Sequence, residues 1–172
     1  MFLNYIKRIL IKKALKNSVR NVKTDSQKNP IKKVGLLVDE SFFLETNDLI
    51  KEIVSNGITQ GSIKVIVYRD LLKKNEVYSH PVFGLKDFNF NGKVGSQIIN
   101  EFILEEFDLL INYYDVEKPV LLLLTNKSKA KFKVGFSSID KRLNHLMITG
   151  NIENYKVFIH ELFRYLKILN KI

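Results

Sequence analysis

A chain of 172 residues with 28 Lys and Arg against 18 Asp and Glu is long enough for one sizeable core and too short for two ordinary domains. It has no cysteine, which excludes disulfides, thiolate metal clusters and a cysteine nucleophile and fits a reducing cytoplasm. With 45% apolar residues, disorder throughout is excluded as well.

The charge is unevenly placed. Residues 1–33 hold ten basic side chains and one acidic one, Asp25, whereas the rest of the chain carries 18 basic against 17 acidic. A near-neutral body with a strongly basic N-terminal segment follows, and that segment is the part suited to an anionic partner. Lys7, Arg8, Lys12 and Lys13 interrupt its apolar residues before the roughly 20 that a membrane span needs, and charge and apolarity interleave, unlike an export signal.

The periodicity predicts a basic helix over 1–23. Phe2, Leu3, Tyr5, Ile6, Ile9 and Leu10 mark one face, and Ile11, Leu15, Val19 and Val22 mark nearly the opposite one. A helix lying on a membrane needs one continuous apolar face, so this swap counts against a surface anchor and for a helix packed differently at its two ends. The run 24–30 has no apolar residue and ends in Pro30, which reads as a linker, and the single α/β domain is expected over 31–172.

Val34 to Val38 is a nearly continuous apolar run ending in Asp39, the pattern of a strand buried on both faces. A helix follows, with Thr46, Asn47 or Asp48 as N-cap, Leu49, Ile50, Ile53 and Val54 as buried stripe, and Gly57 placed to end it. Ile63 to Tyr68 is the next strand, completing a right-handed βαβ unit. Leu71 to Lys86 has no clear period, and Phe88 and Phe90 alternate with polar residues as in an edge strand. Ser96 can cap a helix carrying Ile98, Ile99, Phe102 and Ile103, after which Phe107 to Tyr113 returns to a buried strand.

Glu117 to Asn126 is apolar all round at its centre, the mark of a fully covered helix. Phe132 to Phe136 and Leu146 to Ile148 read as strands, and Tyr155 to Leu169 as an amphipathic closing helix. Strands alternating with helices imply a three-layer α/β sandwich around a mainly parallel, Rossmann-like sheet.

Three strands end in an acidic residue, Asp39 (followed by Glu40), Asp70 and Asp115. Ligands of open parallel sheets bind at the carboxyl ends of the strands, so Asp39, Asp70 and Asp115 are a candidate Mg²⁺ site for phosphoryl transfer or hydrolysis; capping and turn roles are the alternative. The stretch from Asn91 to Ser96 puts glycines, Lys93 and the Ser96 hydroxyl before a helix N-terminus, a candidate anion site without a Walker sequence. From Asn126 to Lys133, lysines alternate with small or apolar residues, which on an extended chain aims them to one side, as a continued basic surface or a solvated edge. His80, His145 and His160 lack metal-ligand spacing.

The runs at 34–39, 107–114, 128–136 and 163–170 together resemble a domain-of-unknown-function family of flavobacteria and related bacteria over essentially the whole chain. That resemblance implies a small cytoplasmic bacterial protein and brings no catalytic residues. Residues 107–136 are also similar to a segment in the acceptor half of heptosyltransferase-like glycosyltransferases, whose early Gly-Asp loop is missing here.

The leading expectation is a noncatalytic binding protein whose Lys7, Arg8, Lys12, Lys13, Lys16, Arg20 and Lys23 contact an anionic polymer such as RNA or the ribosome by counterion release. The rivals are the Mg²⁺ enzyme and a peripheral protein on an anionic membrane surface. No other cofactor is implied.

Overall fold

In the computed structural model, residues 2–22, 30–73, 75–90 and 93–172 are described. Six strands, β1 (Val34–Asp39), β2 (Ile63–Tyr68), β3 (Val82–Phe83), β4 (Leu109–Tyr113), β5 (Phe132–Phe136) and β6 (Leu146–Ile148), form one sheet in the order β3-β2-β1-β4-β5-β6. Every neighbouring pair is parallel. The helices are α1 (Phe2–Ser18), α2 (Thr46–Ser55), α3 (Gln97–Leu104), α4 (Pro119–Lys127) and α5 (Tyr155–Ile168).

The layers follow from the connections. The crossover from β1 to β2 moves one way across the sheet and that from β4 to β5 the other, so with one handedness α2 and α4 lie on opposite faces. α2 packs with α5, α3 packs with α4, and the three-layer α/β sandwich results. β1, β4 and β5 are buried along their whole length because helices cover both faces, which is why their sequences are continuous apolar runs. Phe43, Tyr113, Phe136 and Phe158 cluster at ring distances of 4.6–5.2 Å on one face. Gly57, at φ +103°, ends α2 in a conformation that strains any side chain.

Several local expectations change. The edge strand is Val82–Phe83, inside the stretch without a period, because two residues suffice to pair with β2. Phe88 instead sits fully inside the core with a single antiparallel bridge to Val94, and Phe90 stays half exposed. Glu45 takes the N-cap position of α2 without a side-chain capping bond, and the Thr46 hydroxyl, at the first helical residue, donates to Glu40. Ser96 takes the N-cap position of α3, but its side chain makes no capping bond. The first helix ends at Ser18; Lys23 and most of the expected linker lie outside the described residues.

α1 is fastened to the body. Ile11 and Leu15 are buried, Val19 packs on the core, and α1 rests against α4. Ser18 Oγ accepts from Asn126 Nδ2 at the end of α4, and the Val22 N–H donates to the Arg142 carbonyl. The second apolar stripe of the sequence is thus the docked one. The first, with Phe2, Leu3, Tyr5, Ile9 and Leu10, faces solvent.

Candidate functional site

The strand order reverses at β1: the chain leaves it for β2 on one side and returns to β4 on the other. Parallel α/β sheets bind ligands beyond the carboxyl ends of the strands at such a switch point. Here β1 ends in Asp39, β2 leads to Asp70, and Lys118 stands between β4 and α4, in extended conformation before Pro119 opens the helix. Proline at the first helical position fits without losing a hydrogen bond, so Lys118 is free to turn inward as the cap residue.

Lys118 Nζ lies 2.6 Å from Asp39 Oδ2 and 2.7 Å from Asp70 Oδ2, with its side chain only 8% exposed. The contact to Asp39 is an ion pair without aligned hydrogen-bond geometry, and Asp39 Oδ2, fully buried, has no other donor. Asp39 Oδ1 accepts from the Ser41 N–H, and Ser41 Oγ accepts from the Asp70 N–H, which ties the two loops together. Asp70 Oδ1 accepts from the Tyr68 hydroxyl at 2.8 Å and from Arg8 at 3.3 Å. The rings of Phe42 and Tyr68 stand 4.6 and 4.8 Å from the ammonium, within cation–π reach.

Burial works against ionisation of Asp70, but hydrogen bonds from Lys118 and Tyr68 and the charges of Lys118 and Arg8 outweigh it and hold Asp70 below the usual carboxylate range. Burial first, then the hydrogen bond to Asp70, pushes the Tyr68 phenol well above its ordinary value. Neither group therefore exchanges a proton near neutral pH.

Two of the three expected metal carboxylates do converge, but on a lysine. The position of a divalent cation between Asp39 and Asp70 is filled by the ammonium of Lys118, a cation the chain supplies itself. Asp115 takes part elsewhere, its carbonyl accepting from Ser138 Oγ. Glu40 is engaged by Arg69, at 2.8 and 3.0 Å, and by Thr46. Among the described residues, no group of three His, Asp or Glu side chains is placed to hold a metal ion. Lys93 is exposed and Ser96 half-buried ahead of α3, while Asn91 and Gly92 of the same stretch lie outside the described residues.

The chain belongs to the Family of unknown function (DUF6913), whose model matches residues 7–169. No curated protein and no solved structure matches it.

The predicted basic contacts divide. Arg8 is pinned by Asp70, and Lys7 donates to the Lys86 carbonyl and lies 5.8 Å from the Phe90 ring. Lys12, Lys13, Lys16 and Arg20 are exposed and, among the described residues, have no carboxylate partner. The lysine run 127–133 does not form a solvated edge: β5 lies between β4 and β6, Lys131 pairs with Asp108, and Lys133 is buried. Sequence reasoning missed Lys118, because a lysine before a proline reads as an ordinary helix start.

Among the described residues, no helix is long and apolar enough to cross a membrane.

Proposed function

We propose that this DUF6913 protein is a noncatalytic binding protein that rests on an anionic membrane surface through the outward face of α1. One observation carries the reading. At helical spacing, Phe2, Tyr5 and Ile9 continue directly into Lys12, Lys13 and Lys16, so a single face is apolar in its first half and cationic in its second. Phe2, Leu3 and Tyr5 are 74, 65 and 64% exposed. The opposite stripe, which in the sequence argues against a surface anchor, is used up in docking α1 on the body and leaves the outward face independent.

The energetics favour this pairing. Fully burying one large apolar side chain yields about 1.5–3 kcal/mol, and each lysine near an anionic leaflet adds about 1 kcal/mol. A partner that is only a polyanion leaves the exposed apolar side chains in water.

The test is flotation of the full chain with vesicles of phosphatidylglycerol and phosphatidylcholine. The protein is expected to float at low salt and to be only partly released at high salt. Phe2→Ser with Ile9→Ser, or Lys12→Ala with Lys13→Ala and Lys16→Ala, should each weaken flotation, and the lysine variant should lose its salt dependence. Absence of the protein from the vesicle fraction at low salt overturns the reading.

RNA is the second reading, supported by Lys12, Lys13, Lys16 and Arg20, four exposed cations without a carboxylate partner among the described residues. Each phosphate neutralised on a single strand contributes about −0.7 to the log–log salt slope. Nuclease-sensitive co-sedimentation with ribosomes that survives the Phe2 and Ile9 substitutions would establish it in place of the membrane.

A further inference from the structure

Where the turn after α1, the end of α4 and the start of β5 meet the loop before β6, they line an open cavity of about 300 Å³. That is at the lower end of the sizes typical of small-molecule sites. Arg20, Lys131, Lys133, Arg142 and His145 line it, and no carboxylate does among the described residues.

Lys133 is the most informative of them. It is 6% exposed, and its Nζ donates one bond, to the Thr125 carbonyl at 2.7 Å. An ammonium has three donors, and a buried one without a counter-charge is costly unless something anionic completes it. Among the described residues no carboxylate pairs with it. Burial alone pushes Lys133 down to about 8, so it still carries its charge at neutral pH.

The surrounding groups are held in place rather than loose. Arg142 is clamped by Asp140 and Lys131 by Asp108, both carboxylates lying outside the lining. His145 stacks on Phe132, and its Nδ1 accepts from the Lys133 N–H at 2.9 Å, which assigns the proton of the neutral ring to Nε2. Arg20 and Lys133, which among the described residues have no carboxylate partner, leave uncompensated positive charge at this cavity, and that charge beside guanidinium and ammonium donors suits a tetrahedral oxyanion.

We propose that this cavity binds the phosphate group of a phosphorylated ligand, with Lys133 as the buried anchor and Arg20, Lys131 and Arg142 at the mouth. The inference does not depend on membrane docking, since it concerns a different surface and is tested without vesicles.

The experiment is calorimetric titration of the full chain, in chloride buffer at neutral pH, with inorganic pyrophosphate, adenosine monophosphate and a short oligoribonucleotide. Saturable binding of at least one probe is expected, with affinity falling at least tenfold in Lys133→Met and in Arg20→Gln, and unchanged in Lys156→Ala, an exposed lysine on α5. Binding of pyrophosphate or the mononucleotide identifies a free phosphorylated molecule as the source. Binding of the oligoribonucleotide alone identifies a polymer backbone. Both support the site. Replacing a buried charge by an apolar chain of similar volume preserves folding, and Arg20 is exposed, so neither variant depends on rescue. The proposal is overturned if no probe saturates, or if binding is the same in both variants as in the unaltered chain.

Discussion

Two buried lysines, one in the loop after β4 and one in β5, stand in opposite circumstances. Lys118 is enclosed by two carboxylates and two aromatic rings. Lys133, equally buried, has one carbonyl and an open cavity lined by further cations. The first ammonium completes the protein at the place where such folds usually take a ligand; the second leaves it incomplete at a place where they usually do not. The conventional switch point is thus closed by the chain itself, and the opening for a partner has moved to the far end of α4.

The contrast can be broken most directly by removing each charge. Lys118→Met strands the buried Asp39 carboxylate and is expected to cost about 3–5 kcal/mol in urea unfolding, whereas Lys133→Met should be neutral or stabilising. Equal losses in the two variants would erase the distinction.

A pH series sharpens it. Lys133 is depressed to about 8 from its ordinary 10.5, so between those values the unfolded chain holds the extra proton and stability rises with pH. Compared with Lys133→Met, the unaltered chain should gain up to about 3 kcal/mol on going from pH 8 to pH 10.5. A flat difference curve would show that the ammonium is already compensated.

A smaller effect is expected beneath Lys133, where Thr125 Oγ1 bonds Asn112, Asn112 bonds Asn144, and Asn144 Nδ2 is buried without a partner. A Cβ at Gly135 would stand 2.7 Å from Asn144 Nδ2. Gly135→Ala should cost about 1–3 kcal/mol, and Asn144→Ala in the same chain should relieve part of it, as read by a double-mutant cycle.

The smallest effect is expected from Asp70, whose lowered value makes its contribution present above the ordinary carboxylate range and lost as pH falls through the folded-state value. The stability gap between the unaltered chain and Lys118→Met should narrow on acidification, measured by thermal unfolding from pH 6 downward.

Much of the scaffold was legible because its strands are short, doubly covered apolar runs. β2, β5 and β6 fall at the residues expected from their composition. β3 was not, because a two-residue strand has no period to read. At the switch point Asp39 and Asp70 were legible as acidic strand ends, but their meeting and the lysine between them were not, since only the register of β4 against β1 brings residue 118 there. Both stripes of α1 were visible in the sequence; which of them docks depends on the apolar centre of α4, a tertiary fact.

That last dependence bears on how the protein can be dissected. Val120, Leu121, Leu122, Leu123 and Leu124 are all buried, and α1 is one of the elements lying over their helix. A chain trimmed of its first helix would bare a greasy ridge, and its clumping or its sticking to lipid would then report the wound and not the lost charges. What α1 does is therefore best probed by substitutions on its wet side, with Ile11 and Leu15 left in their seats.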